Sequence, residues 1–391
     1  MKTRLLDLDD FLIRHAELWR PQPYREMRPV WCEYYPDLSA YLLGLDDDTL
    51  TRLGQDSTAL LSQVTRYIPE LAKLTVLCAI PRSAVSVNEL NEAQFGWEVP
   101  GRKKRQIERF SHALTNTGTT LLEWCGGKGH LGRTLGKLWQ QRVETVEWNQ
   151  VLCEEGQRLS ARAGVEQIFH VEDALDSRTL KHLNGKHVLA LHACGDLHRQ
   201  LIHGAQSATT KALDIAPCCY HLGRHDSYIA FNKDLALKLS RDDMRLAVTG
   251  SETAPHAQLV LRDKEMAWKL GYEMLRRQQY PDVAFQNIRP IDKPWLKLSF
   301  EAFCEKLAQR EGDELAGDTD WQAIEKLAWQ RQGEVMRLSL LRQLFRRAIE
   351  LWMVFDMATF LESKGYKVNV SEFCTSEITP RNILVSAHVN D

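Results

Sequence analysis

Five short apolar runs lie at 120–124, 143–147, 167–171, 187–192 and 212–216, with helical patterning between them. Apolar runs of strand length alternating with helices mark βαβ units on a parallel sheet. The spacing predicts one helix over 131–140 and another over 149–163, ended by Gly164. Further on, a helix over 338–364 leads through Gly365 to two more strands, 367–373 and 382–388, which would complete a seven-stranded sheet.

The rest of the chain has a different texture. Residues 1–95 read as helical, with Leu5, Leu8, Phe11, Leu12 and Ala16 recurring at helical spacing. Residues 222–334 lose the strand–helix rhythm and carry Trp295, Trp321 and a charged helical stretch near 300–310. The expected organisation is therefore a helical region over 1–95, core strands over 96–221, an insertion over 222–334 and the closing helix and strands over 335–391. A length of 391 residues accommodates such additions around one core.

The segment Leu121-Leu-Glu-Trp-Cys-Gly-Gly-Lys-Gly-His-Leu-Gly132 runs a strand into a glycine-rich turn that opens a helix. Such a turn lets a nucleotide approach the backbone without Cβ interference, as in Rossmann-like folds. Gly127, Gly129 and Gly132 satisfy the dinucleotide pattern, so a dinucleotide and S-adenosylmethionine both fit. Three features favour S-adenosylmethionine. Glu123 puts an acid on the first strand just before the turn, Asp173 follows the third strand, and the chain closes with a helix and two strands. The expected cofactor lining is Glu123, Cys125, Gly126, Gly127, Gly129 and His130, with Glu147 on the ribose, Asp173 on the adenine and His192 at the fourth strand.

His192-Ala-Cys-Gly-Asp-Leu197 ends the fourth expected strand and Pro217, Cys218, Cys219, Tyr220 and His221 end the fifth. Both stretches fall at the carboxyl edge, where open α/β sheets bind ligands. Residues 217–221 are the candidate catalytic wall, and four chemistries stay open there. Small polarizable side chains could pack around the cofactor, Tyr220 could stack on a flipped base, a cysteine could act as nucleophile, or the cysteines and histidines could hold a metal. No metal centre is expected, because the chain has no Cys-x-x-Cys and its nine cysteines are scattered.

Fifty Lys and Arg against 52 Asp and Glu exclude a global basic field, so contact with a polyanion must be local. Arg102, Lys103, Lys104 and Arg105 supply such a patch before the first strand, where phosphate contacts would give affinity without sequence selectivity. Arg276-Arg277 and Arg346-Arg347 could extend it. No apolar run reaches the ~18 residues of a membrane span. Asp7, Asp9 and Asp10 stand where a secretory signal would be apolar, so the expected location is the cytoplasm.

The stretches 123–132, 192–197 and 217–221 together resemble the methyltransferase-like family of seven-strand enzymes, whose members include a glutathione S-transferase C-terminal domain-containing protein. Lys103-Lys104 resembles the family's paired lysines, and Thr379-Pro-Arg-Asn382 its Ser-Pro-Arg-Asn. The resemblance covers 95–222 and 335–391 and is weaker near 35–44. It implies a class I sheet, S-adenosylmethionine binding and methylation of RNA, rRNA or tRNA. The alternatives are a small-molecule or protein methyltransferase, or a module that binds S-adenosylmethionine or a metal without catalysis. Cys125 departs from the pattern, standing where many methyltransferases carry the turn's first glycine.

Overall fold

The computed structural model describes residues 1–83, 99, 101–206, 209–249, 256–282 and 285–389. The end of the expected helical region, 84–95, lies outside the described residues. Seven strands form one sheet: β1 (Leu121–Trp124), β2 (Val143–Glu147), β3 (Gln167–Val171), β4 (His187–Cys194), β5 (Ala212–Cys218), β6 (Tyr366–Glu372) and β7 (Ile383–Val389). Their order is β3-β2-β1-β4-β5-β7-β6. All neighbours up to β5 are parallel, and β7 runs antiparallel to both β5 and β6.

The expected α/β Rossmann-like sheet is therefore the fold, and β1 to β3 fall on the predicted runs. β4 and β5 each run two residues further than their runs predict. The ladder is interrupted between Leu191 and Cys194 and then resumes, pairing Cys194 with Cys218. A bulge of this kind re-aims side chains at a sheet edge, and periodicity alone does not reveal it. β1 and β5 are buried along their whole length. Strands covered on both faces read as continuous apolar runs, which is why the pattern was so plain.

The chain forms two compact units. One comprises 1–14, 73–249 and 346–391 and contains the sheet; the other comprises 15–72 and 250–345. This grouping differs from the four expected segments, since most of the N-terminal helices join the insertion. Within the second unit Arg331 donates to the Glu26 carbonyl at 2.8 Å and Arg337 to that of Leu45 at 2.7 Å, tying the early helices to the helix Trp321–Gln343. Its core packs Trp268, Tyr272, Phe300 and Phe303, with Trp295 and Trp321 against it.

The expected long helix is two helices, Trp321–Gln343 and Arg346–Ser363, divided at Leu344 and Phe345. The break falls where the chain passes from one unit to the other. Thirteen residues of Arg346–Ser363 are buried, Asp356 among them. A helix covered on most sides is apolar on most sides, so no break could be read from its pattern. Asp356 is satisfied by the amides of Phe231 and Asn232 at 2.8 and 3.0 Å and by the Tyr228 hydroxyl at 2.9 Å. No helix among the described residues is long and apolar enough to cross a membrane.

Candidate functional site at the carboxyl edge of the sheet

β1 ends in the glycine-rich turn, and the turn is held by two acids. Glu123, 5% exposed, accepts the Gly132 amide at 2.9 Å, a donor in the first turn of the helix His130–Trp139. A carboxylate here meets the positive end of the helix dipole. Burial nevertheless pushes its pKa up to about 7, against the pull of the Gly132 amide, Lys103 and Arg133. Glu147, at the end of β2, accepts the Gly127 amide on Oε2 at 2.9 Å and the Asn149 amide on Oε1 at 3.0 Å. Gly129 has φ 68°, and a Cβ there would lie 2.3 Å from Gln167 Nε2, so only glycine fits. At Gly127 (φ 59°) an added Cβ would meet nothing within 4 Å, so the turn is open on that side.

Four non-glycine residues among those described have positive φ, and three of them end neighbouring central strands: Cys125 (57°) after β1, His192 (65°) in β4 and Cys219 (48°) after β5. Each such residue costs on the order of 1–2 kcal/mol in backbone strain, which concentrates at functional sites. The fourth, Gln140, caps a helix and is ordinary. The two loops are pinned to each other. The Gly195 amide donates to the Cys218 carbonyl at 3.2 Å, and the Asp196 amide to that of Leu222 at 3.3 Å.

Inside this corner three thiols meet. Cys194 Sγ lies 3.4 Å from Cys218 Sγ, and the sulfurs of Cys194, Cys218 and Cys219 all lie within 4.8 Å of one another. Cys218 is buried, and hydrogen bonding to Cys194 and Cys219 holds it protonated. Cys219 is half-buried, and hydrogen bonds from Cys194 and Cys218 pull its thiol below the usual range, with His221 and Arg381 adding to the pull. Neither ring nitrogen of His192 has a hydrogen-bond partner, although both are buried. Burial lowers its pKa to about 4, so its imidazole is neutral at neutral pH; Arg381, Lys103 and Arg102 press the same way. His221 is lowered by burial and then by Arg245, Arg241 and Arg381, and its Nδ1 is also unpartnered.

The basic helix Gly101–His112 thus brings Arg102 and Lys103 within electrostatic reach of the corner. Lys104 instead pairs with Glu108 at 3.8 Å, and Arg105 is exposed. Asp173 is exposed, its Oδ1 accepting the Leu175 amide at 2.9 Å. Cys125 is half-buried, its thiol pushed up to about 12 by burial and then by Glu147. Pro217 is a buried residue of β5. Gly126 donates its amide to the Val146 carbonyl at 3.2 Å.

Several expectations change. Tyr220 is 4% exposed, with its ring edge-on to His198, so it offers no open face for stacking a base. His130 is 4% exposed, with Nδ1 2.6 Å from Arg133 Nη2. Arg276 and Arg277 both pair with Glu273, and Arg347 pairs with Glu350 and Glu372, so neither arginine pair is an open extension of the patch.

Residues without an assigned role now border the site. Arg381, from Thr379-Pro-Arg-Asn382, donates to the Val248 carbonyl and acts on both His192 and Cys219. Trp148, directly after Glu147, is 74% exposed. An aromatic side chain next to the acid expected to hold a ribose could have been noticed in the sequence. Arg241 and Arg245 could not, because only the tertiary fold brings them to His221.

Residues 102–226, about a third of the chain, match a family model described as a methyltransferase domain. A glutathione S-transferase C-terminal domain-containing protein of Xenopus laevis is 29% identical over 133 residues. That stretch is 33% of this chain, which spans only 21% of the relative's length. Among solved structures, an O-methyltransferase family protein from Burkholderia thailandensis is 11% identical with a TM-score of 0.32, covering 74% of this chain and 56% of that one. Magnesium protoporphyrin IX methyltransferase from Synechocystis, solved with bound SAH, is 10% identical with a TM-score of 0.32, covering 86% and 100%. An rRNA methylase from Streptococcus thermophilus is 7% identical with a TM-score of 0.24, covering 30% and 71%.

Proposed function

We infer, from residues 102–226 matching a methyltransferase-domain model and lying on a class I sheet, that the protein methylates RNA. The domain's cofactor is S-adenosylmethionine, which supplies a methyl group already activated on a sulfonium sulfur. The corner has the features such a cofactor needs: a turn open at Gly127, strained strand ends and buried imidazole nitrogens left without partners.

In this reading the backbone of Cys125, Gly126, Gly127 and Gly129 lines the methionine side. Each oxygen of Glu147 accepts one amide and keeps a lone pair for a ribose hydroxyl. Asp173 reads the adenine amino group, and exposed Trp148 offers an apolar wall beside it. His192, neutral and unpartnered, can take a proton from the acceptor on a ring nitrogen. Of the two adjacent cysteines, half-buried Cys219, its thiol pulled down with His221 and Arg381 nearby, is the better placed for addition to a base, whereas Cys218 is buried. Most of the acceleration would come from holding acceptor and donor in line.

The observation that carries the RNA assignment is the convergence of cations from two separate segments on one imidazole. Arg102 and Lys103 from the basic helix and Arg381 from the turn before β7 all act on His192, whereas Arg241 and Arg245, which reach His221, are paired with Asp226 at 3.1 Å and Asp242 at 3.6 Å. A carbonyl partner leaves the charge of Arg381 uncompensated, as suits a site for a phosphate backbone. The nine free cysteines suit the reducing cytoplasm.

The test is to offer labelled S-adenosylmethionine and purified protein to RNA from a strain lacking the gene, then map the modified nucleoside. Label should enter RNA and disappear with Glu147→Ala. Label confined to protein or small molecules would overturn the assignment.

A further inference from the structure

A second cluster lies on the other side of the sheet. Side chains alternate along a strand, so Glu144 of β2 points away from the face of Thr145 and from the turn-holding Glu147. Its register partner is Ile168, which puts His170, two residues further along β3, on that same face. His182, from the 3-10 helix Ser177–Leu183, completes the group.

The two imidazoles lie ring against ring, centroids 4.0 Å apart, and both address one oxygen. His170 Nε2 is 3.0 Å from Glu144 Oε2, and His182 Nδ1 is 4.0 Å from the same atom. The other oxygen, Oε1, is taken by the Lys186 ammonium at 2.5 Å. The far nitrogen of His182, Nε2, is 3.2 Å from Glu172 Oε1, which also takes Lys181 at 3.2 Å. Donation from Nε2 to Glu172 leaves Nδ1 of the neutral ring with a lone pair 4.0 Å from a carboxylate oxygen. A cation between the two, proton or metal, would be attracted by both.

We propose that Glu144, His170 and His182 bind a borderline divalent transition-metal ion of the zinc class. Ligand atoms about 2.0–2.2 Å from such an ion lie roughly 3–4 Å from one another. The two separations to Glu144 Oε2, 3.0 and 4.0 Å, fall in that range, and the group's ligand atoms all lie within 4.8 Å of one another. Lys186 confines the carboxylate to one free oxygen, and Glu172 supplies the carboxylate that commonly orients a ligating histidine. At 24% side-chain exposure His170 leaves the group open to water, the usual fourth ligand. The ion would clip β2 and β3 to the crossover leading into β4.

The experiment is titration of the full, chelator-stripped protein with Co(II) alone. One ion per chain should bind with visible d–d bands and without the intense near-ultraviolet thiolate-to-cobalt band. Glu144→Gln and His182→Ala should weaken binding at least tenfold, whereas Cys218→Ser should leave it unchanged. Glu172→Gln, which removes only the orienting charge, guards against misfolded variants and should weaken binding about 10–100-fold. Fewer than about 0.2 ions per chain, a thiolate band, or indifference to all three Glu and His substitutions would each overturn the site. None of these readouts depends on methyl transfer, so the outcome is separate from the fate of the RNA assignment.

Discussion

Five residues apart on β4, His187 and His192 have opposite surroundings. His187 is fully buried and fully answered: Nε2 lies 2.6 Å from Asp214 Oδ2, Nδ1 lies 3.2 Å from Thr117 Oγ1, and the ring stacks on Trp139. The Ser386 hydroxyl takes the other oxygen of Asp214. His192 sits at φ 65° with both nitrogens unanswered. Buried polar groups are nearly always paired, so an imidazole that is not marks a place kept for something else. The start of β4 is built for stability. Its end carries strain and an unmet hydrogen-bonding capacity, as expected at the carboxyl edge of an open sheet.

The largest test of that contrast is His187→Ala. It removes the Nε2 partner of a fully buried Asp214 and leaves only the Ser386 hydroxyl, and a buried polar group stripped of a partner costs about 1–3 kcal/mol, with the emptied ring space adding a cavity cost. Denaturant unfolding should record that loss, while methyl transfer per folded molecule stays within about twofold of the parent. Activity that collapses in the folded fraction would erase the distinction between the two ends. His192→Ala should do the reverse. Removing a proton-accepting group costs about 10²-fold or more in kcat/KM, while the unfolding midpoint hardly moves. A midpoint that falls as far as that of His187→Ala would make His192 structural instead. Arg381→Ala should be milder, raising KM for RNA by roughly tenfold and flattening its salt dependence by about one phosphate contact. An unchanged salt slope would remove Arg381 from the proposed RNA-binding surface.

What could be read in advance follows the same division. β1 to β3 and the glycine turn were legible because local pattern determines them: apolar runs, then glycines that nothing else can replace at Gly129. The clustering of His192 with Cys218 and Cys219 was legible because strand ends in a parallel sheet share one edge. The bulge that carries β4 on to Cys194 was not, since it depends on pairing with β5. Tyr220 looked available because a residue next to paired cysteines at a sheet edge faces ligand as readily as core; its burial beside His198 is decided by packing. The cations were half legible: Arg102 and Lys103 as a charge run, Arg381 as part of a recognised pattern without a role, Arg241 and Arg245 not at all. The Glu144, His170 and His182 group has no metal-ligand spacing in the chain, because strand register assembles it.

The smallest expected effect concerns Glu123, at the same edge as His192 but on β1. Its pKa is raised to about 7 by burial, so the folded state keeps a proton that the unfolded chain releases near the ordinary value of 4.5. The unfolded state therefore binds fewer protons over this interval. Stability is fully supported below the unfolded pKa and declines as pH rises towards 7, by up to about 1.4 kcal/mol per pH unit. Glu123→Gln keeps an oxygen for the Gly132 amide but has no charge to bury. Its stability relative to the parent should therefore rise with pH, by about 1 kcal/mol between pH 5 and 6, read from paired denaturation curves. A gap that does not change with pH would mean that the helix N-terminus and Lys103 fully compensate the carboxylate. The strain of this edge would then reside in its backbone, at Cys125, His192 and Cys219, and not in its buried charge.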